Sequence, residues 1–132
     1  NTLRDHKVSE NLITFLEDYD LLPYEPSIDN ALEGLDPERK SLIFSPCDVF
    51  ARAATDYLVE RGLRVGKDVG VLGFEGMGYA TMREPKVTTF DVHPEEIGRK
   101  AADVLCARIN GDYLNPPGNH TVPCSLQLGG TL

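Results

Sequence analysis

Glu75 closes an apolar run, Val69-Gly70-Val71-Leu72-Gly73-Phe74, and puts a carboxylate with two acceptor oxygens where that run turns polar. A short Val-rich run flanked by glycines reads as a strand buried on both faces. An acid at the carboxyl end of such a strand lies where open α/β sheets place their ligands. The same residue could equally be a solvated acid at a strand end. Asp48 is the second acid of interest. It follows Ser45-Pro46-Cys47, and its simplest work is to cap the helix that starts there. Cys47 beside it supplies a thiol, a weak donor and a weak acceptor.

Other chemistries find less support. Gly73, Gly76 and Gly78 stand in the wrong order for a dinucleotide loop, and Tyr79 to Pro85 is a poor helix to receive a pyrophosphate. His6, His93 and His120 are scattered, and no nucleophile has an elbow or motif around it. Glu95-Glu96 is explained by a helix dipole. The three cysteines, Cys47, Cys106 and Cys124, form no Cys-x-x-Cys pair. Their odd number and wide spacing suit a reducing, cytoplasmic setting better than a disulfide framework or a zinc site. Neither an enzyme, a resident metal nor a cofactor is expected.

The elements that would position these residues follow from periodicity. Val8, Leu12, Phe15, Leu16 and Tyr19 share one face of a helix over 5–20, with Asp5 as its cap. Residues 21–26 hold two prolines and allow only a brief extended segment. Ser27 caps a short helix carrying Ile28, Ala31, Leu32 and Leu35. A strand is predicted over 41–45, then a helix from Asp48 to Arg61 with Phe50, Ala53, Ala54, Tyr57 and Leu58 inward, stopped by Gly62. The central strand follows, then a strand over 87–90. Strand, helix, strand in this order implies a parallel crossover. His93-Pro94-Glu95-Glu96 starts a helix, with Pro at its first position and acids in its first turn. Its stripe is Ile97, Ala101, Val104, Leu105 and Ile109, and Asn110-Gly111 ends it. A turn-rich loop then leads to a last strand over 121–128 and a Gly-Gly tail.

At 41% hydrophobic and 26% charged, the 132 residues have globular composition and enough length for a core. A net charge of −8 argues against phosphate-backbone binding by this chain itself. No apolar run approaches the roughly 20 residues that span a bilayer, so no membrane partner is expected. The chain opens on Asn1 without an initiator Met and reads as a piece of a longer polypeptide.

The order Gly62, Asp68, Gly73-Phe74-Glu75 and Pro85-Lys86-Val87-Thr88-Thr89 closely resembles the effector-binding core of lactose-repressor-like (LacI/GalR) transcription regulators. There a helix ends in Gly, a loop precedes an Asp, a strand ends Gly-Phe/Tyr-Asp, and Pro-Leu-Thr-Thr follows. Ser45-Pro46-Cys47-Asp48 matches the family's strand-to-helix step, and Ile97-Gly98 with Ala101-Ala102 its later Gly-x-x-Ala helix. The resemblance implies an α/β fold, a parallel-sheet lobe of the periplasmic-binding-protein type in three α/β/α layers. It implies that residues 1–132 are mostly the carboxyl-terminal lobe of an effector domain, with elements over 94–128 that contact an amino-terminal lobe in relatives. The implied function is sensing of a small polar effector, a sugar or derivative, with DNA read by a helix-turn-helix module outside this chain.

The resemblance also assigns residues. Glu75 stands for the Asp that accepts hydrogen bonds from ligand hydroxyls, one methylene longer. Cys47 and Asp48 fall beside the cleft, Arg4 and His6 near the effector-contacting Arg, and Asp91, Val92 and His93 at the crossing between lobes. Relatives finish on a basic Arg-x-Ser-like ending where this chain has Leu128-Gly129-Gly130-Thr131. The alternative on the same fold is a solute-binding protein of a sugar transport system. Because the 94–109 helix packs on the other lobe in relatives, its stripe here lacks that cover, and a homodimer or swapped assembly is expected.

Overall fold

The computed structural model describes residues 28, 29, 33, 40–111 and 118–132. Four strands form one sheet in the order β1-β2-β3-β4: β1 is Ser41–Phe44, β2 Val69–Glu75, β3 Thr88–Asp91 and β4 Ser125–Gln127. β1, β2 and β3 run parallel, and β4 pairs antiparallel with β3 at the edge. The fold is thus the mostly parallel α/β lobe that the sequence implies. Among the described residues, Ile28, Asp29 and Glu33 are helical, and the sheet is accompanied by two helices, α1 (Asp48–Glu60) and α2 (Pro94–Ile109), with a 3₁₀ turn over Gly78–Thr81. Residues 40–132 make one compact unit.

The period-two alternation along β2 sets the packing. Val69, Val71 and Gly73 are buried, while Gly70 and Leu72 are half-buried and Phe74 is exposed. α1 lies on β2 with Ala51, Ala54, Thr55 and Leu58 buried, an i, i+3, i+4, i+7 stripe. That stripe is rotated from the expected one, leaving Phe50 and Tyr57 half-buried on its flanks. The reason is close approach: a Cβ on Gly73 would already lie 3.2 Å from the Ala51 methyl, so only small side chains fit between helix and strand.

α1 ends as glycine dictates. Gly62 has φ 78°, its N–H donates to the Val59 carbonyl (2.9 Å), and the Leu63 N–H donates to Leu58 (3.0 Å), which is a Schellman stop. The basic loop beyond is tied by Asp68, whose carboxylate accepts from the Arg64 N–H (2.9 Å) and guanidinium (2.6 and 2.9 Å). The side-chain bond to Arg64, and then the backbone one, hold the Asp68 carboxyl at about 2. A folded pKa below the ordinary value gives an increment of stability present above pH ~4 and lost as the pH falls toward 2. Urea midpoints at pH 5 and pH 2.5 should therefore differ less in Asp68→Asn than in the parent. Equal differences would remove Asp68 from the acid response. The pair is exposed, so its effect is small.

α2 starts at Pro94 with Glu95 and Glu96 in its first turn, and closes at Asn110 and Gly111 (φ 83°). It buries none of its residues; Ile97, Leu105 and Ile109 are 45%, 60% and 73% exposed. The last strand is shorter than expected, because Pro123 has no N–H to give a ladder and pairing begins only at Ser125.

Beyond β4 the chain does something its composition hides. Thr131 is fully buried between β2 and β3: its hydroxyl donates to the Val71 carbonyl (2.7 Å) and accepts from the Thr88 N–H (2.8 Å), and its carbonyl accepts from the Val71 N–H (2.9 Å). Gly129 donates to the Thr88 hydroxyl (2.9 Å) and Gly130 to the Lys86 carbonyl (2.7 Å). The tail is part of the sheet's polar wiring.

Candidate functional site

Parallel strands bring their carboxyl ends to one edge, and the residues singled out in the sequence converge there. The turn after β1 carries Ser45, Pro46, Cys47 and Asp48. β2 ends at Glu75, and β3 at Asp91, its partner in register. The antiparallel β4 enters at the same edge, with Ser125 opposite Asp91. Arg4, His6 and the 5–20 helix lie outside the described residues.

Asp48 is fully buried and does not cap α1. Cys47, with extended backbone (φ −150°, ψ 158°), is the N-cap and makes no side-chain cap bond; Asp48 is the first helical residue. Its carboxylate faces the sheet instead. One oxygen accepts from the Thr89 hydroxyl and the other from the Met77 N–H, both at 2.5 Å. A buried carboxylate needs such donors, because an unpaired one would cost several kcal/mol, on the order of an isolated buried charge. Gly73 makes the arrangement possible, since a Cβ there would overlap the carboxylate oxygen. Asp48 therefore ties the turn after β1 to β3 and fixes the loop that follows Glu75.

Glu75 differs from Asp48 and Asp91 on this edge. It is half-buried, and its carboxylate has no hydrogen-bond or ion-pair partner among the described residues. Its φ of 108° lies in a region that side chains rarely adopt, with a cost of order 1–3 kcal/mol. Gly76 follows with φ 73°, so close to β3 that a Cβ would lie 2.6 Å from the Asp91 Cα. The Glu75 carbonyl accepts from the Val92 N–H at 3.4 Å. One residue thus offers a free carboxylate outward and ties its backbone to the segment leaving β3.

That segment is held by a polar clasp. Asp91 accepts from the His93 N–H (2.7 Å) and from the Gln127 side-chain amide (2.8 Å), and the His93 ring is hydrogen-bonded to the Ser125 hydroxyl (3.1 Å). His93 sits in the left-handed region, φ 53°, as the chain turns into α2. Sequence reasoning named Asp91 and His93 but missed Ser125 and Gln127, whose only signal was their place on an edge strand opposite β3. It also gave Thr89 no role of its own, although a hydroxyl on a buried strand asks for a partner. Cys47 is half-buried, and all three cysteines are free thiols. Among the described residues no group of three or more His, Cys, Asp or Glu could hold a metal ion, and no helix is long and apolar enough to cross a membrane.

A mostly parallel four-stranded α/β sheet is the architecture of a periplasmic-binding-protein-type lobe, and the comparisons agree. The model of the periplasmic binding protein-like domain matches residues 4–132. The chain is 27% identical over 95 residues to the HTH-type transcriptional repressor CytR of Escherichia coli K12, covering 72% of this chain and 28% of the repressor. To the ribose operon repressor of the same organism it is 28% identical over 93 residues, 70% of this chain and 28% of that protein. The crystal structure of the Lac repressor bound to ONPG superposes with a TM-score of 0.70 at 26% identity, over 83% of this chain and 32% of that one. The chain thus spans under a third of the length of these relatives. It belongs to the periplasmic-binding-protein-like family as a LacI/GalR-type effector-binding domain.

Proposed function

We propose that this domain senses a small polar effector, a sugar or sugar derivative, and that the effector controls DNA binding by a helix-turn-helix module outside this chain. The observation that carries the proposal is Glu75. An unpartnered carboxylate on a half-buried residue, in a strained backbone at the carboxyl edge of a parallel sheet, is arranged for donors that arrive with a ligand. A pair of neighbouring hydroxyls fits its two oxygens. The relatives are named as repressors, one of them of a ribose operon, which favours regulation over transport. Cys47 borders the same edge and would tune selectivity, while Asp91, Val92 and His93 would form the crossing that moves. The effector acts through its different affinity for open and closed forms, because equal affinity shifts no equilibrium.

Thermal-shift and calorimetric titration of the full-length protein carrying this domain test the proposal. Glu75→Ala should weaken a confirmed effector by about tenfold or more, the worth of one hydrogen bond to a charged group. A titration unchanged by Glu75→Ala in a folded protein would remove Glu75 from the site. Self-association belongs to the same proposal, supported by the exposed Ile97, Leu105 and Ile109 of α2. Light scattering should show a dimer whose population grows with concentration; a monomer throughout, with α2 protected from exchange, would count against it.

A further inference from the structure

We propose that the effector meeting this lobe carries no anionic group: it is a neutral or amine-bearing polyhydroxy compound, and not a phosphate ester. The inference rests on the sensing function proposed above and narrows its ligand.

Lys and Arg are absent from the turns at one edge of the sheet and gather at the other, where Asp68 and Glu84 accompany them. The turns at the carboxyl edge, residues 45–48, 75–79, 91–96 and 124–125, hold Asp48, Glu75, Asp91, Glu95, Glu96 and His93, and no Lys or Arg. The basic side chains lead into the strands at the opposite edge: Lys40 before β1, Arg64 and Lys67 before β2, Arg83 and Lys86 before β3. Arg52 is committed to the carbonyls of Arg83 and Pro85 and to Asp56. Arg99, one turn into α2, stands 4.0 Å from Glu96.

The backbone tells the same story. Phosphate sites on α/β folds use free N–H groups at helix starts and in loop nests. Here the protein's own acceptors already take several of those donors: Asp48 has the Met77 N–H, the Glu75 carbonyl the Val92 N–H, and Asp91 the His93 N–H. α1 begins with a carboxylate in its first turn, and α2 begins with Pro94, which has no N–H, followed by two acids. A phosphoryl group would face carboxylates and no Lys or Arg at this edge. What this edge lacks is the reverse: Glu75 needs hydroxyl or ammonium donors, and the half-exposed Met77 and Tyr79 beside it offer apolar surface for the C–H face of a sugar ring.

The test is a matched-pair titration of the full-length protein: ribose against ribose 5-phosphate, glucose against glucose 6-phosphate, glucosamine against glucosamine 6-phosphate, and adenosine against its 5′-monophosphate. Binding confined to the unesterified members, each ester weaker than its parent by about tenfold or more, is the expected result. In Glu75→Gln, which keeps the size and removes the charge, the gap between parent and ester should narrow. A phosphate ester that binds the wild type as tightly as its parent overturns the inference while leaving the sensing function standing. Absence of binding by every member overturns the sensing function as proposed, and the inference with it.

Discussion

Asp48→Ala should destabilise the domain by about 3 kcal/mol, because it strands the buried Thr89 hydroxyl, worth roughly 1–3 kcal/mol without a partner, and takes the acceptor from the part-buried Met77 N–H. At this size the melting temperature should fall by about 10 °C. Asp48→Asn should lose about 1 kcal/mol, since its carboxamide oxygen still accepts one of the two bonds. The functional consequence separates positioning from ligand contact. If Asp48 works by fixing the loop after Glu75, the double variant of Asp48→Asn with Glu75→Ala should bind a confirmed effector no more weakly than Glu75→Ala alone. Additive losses would mean that Asp48 itself touches the ligand. An Asp48→Ala protein as stable as the parent would show that the two donors find other partners, and that Asp48 does not hold β3 and the loop after Glu75 together.

Gly129→Ala should cost a similar amount, about 3 kcal/mol, at the upper end of what overpacking produces. Its Cβ would overlap the Lys86 carbonyl oxygen and lie 2.7 Å from the Val87 carbonyl carbon, and both obstacles are backbone that cannot rotate away. Relief requires the tail to lift, and with it Thr131. The amides of Val71 and Thr88, both bonded to Thr131, should then lose their protection from hydrogen exchange. Gly78→Ala is the control, since nothing lies within 4 Å of a Cβ there and it should change stability by less than about 0.5 kcal/mol. Unaltered exchange at Val71 and Thr88 in Gly129→Ala would show that the close approach relaxes without releasing the tail.

What could be read from the sequence was whatever depends on local chemistry. The Val-rich run up to Glu75, the Gly62 stop and the Pro94 start with its two acids each carry their own physical reason within a few residues, and each appears where it was expected. What could not be read depends on partners distant in the chain. Asp48 looks like a helix cap because caps are local; its real partners stand 29 and 41 residues away. The α1 stripe was misjudged by favouring large apolar residues, when the closeness of Gly73 demanded small ones. Gly129-Gly130-Thr131 reads as a loose polar end by composition, and only its contacts with Lys86, Thr88 and Val71 make it part of the core. At the site, the edge position of Glu75 followed from strand direction alone, whereas its positive φ and unpaired carboxylate did not.

The buried Thr131 also bears on how the domain is made. During synthesis β1, α1, β2 and β3 emerge well before the residue that joins β2 to β3, which lies 43 positions beyond Thr88. A nascent chain that has already exposed three strands still has the Val71 N–H and carbonyl and the Thr88 N–H without their partner. β2 and β3 can pair before then, but these three groups are satisfied only once Thr131 is made, so a ribosome stalled before Gly129 would display an unfinished lobe to chaperones and proteases.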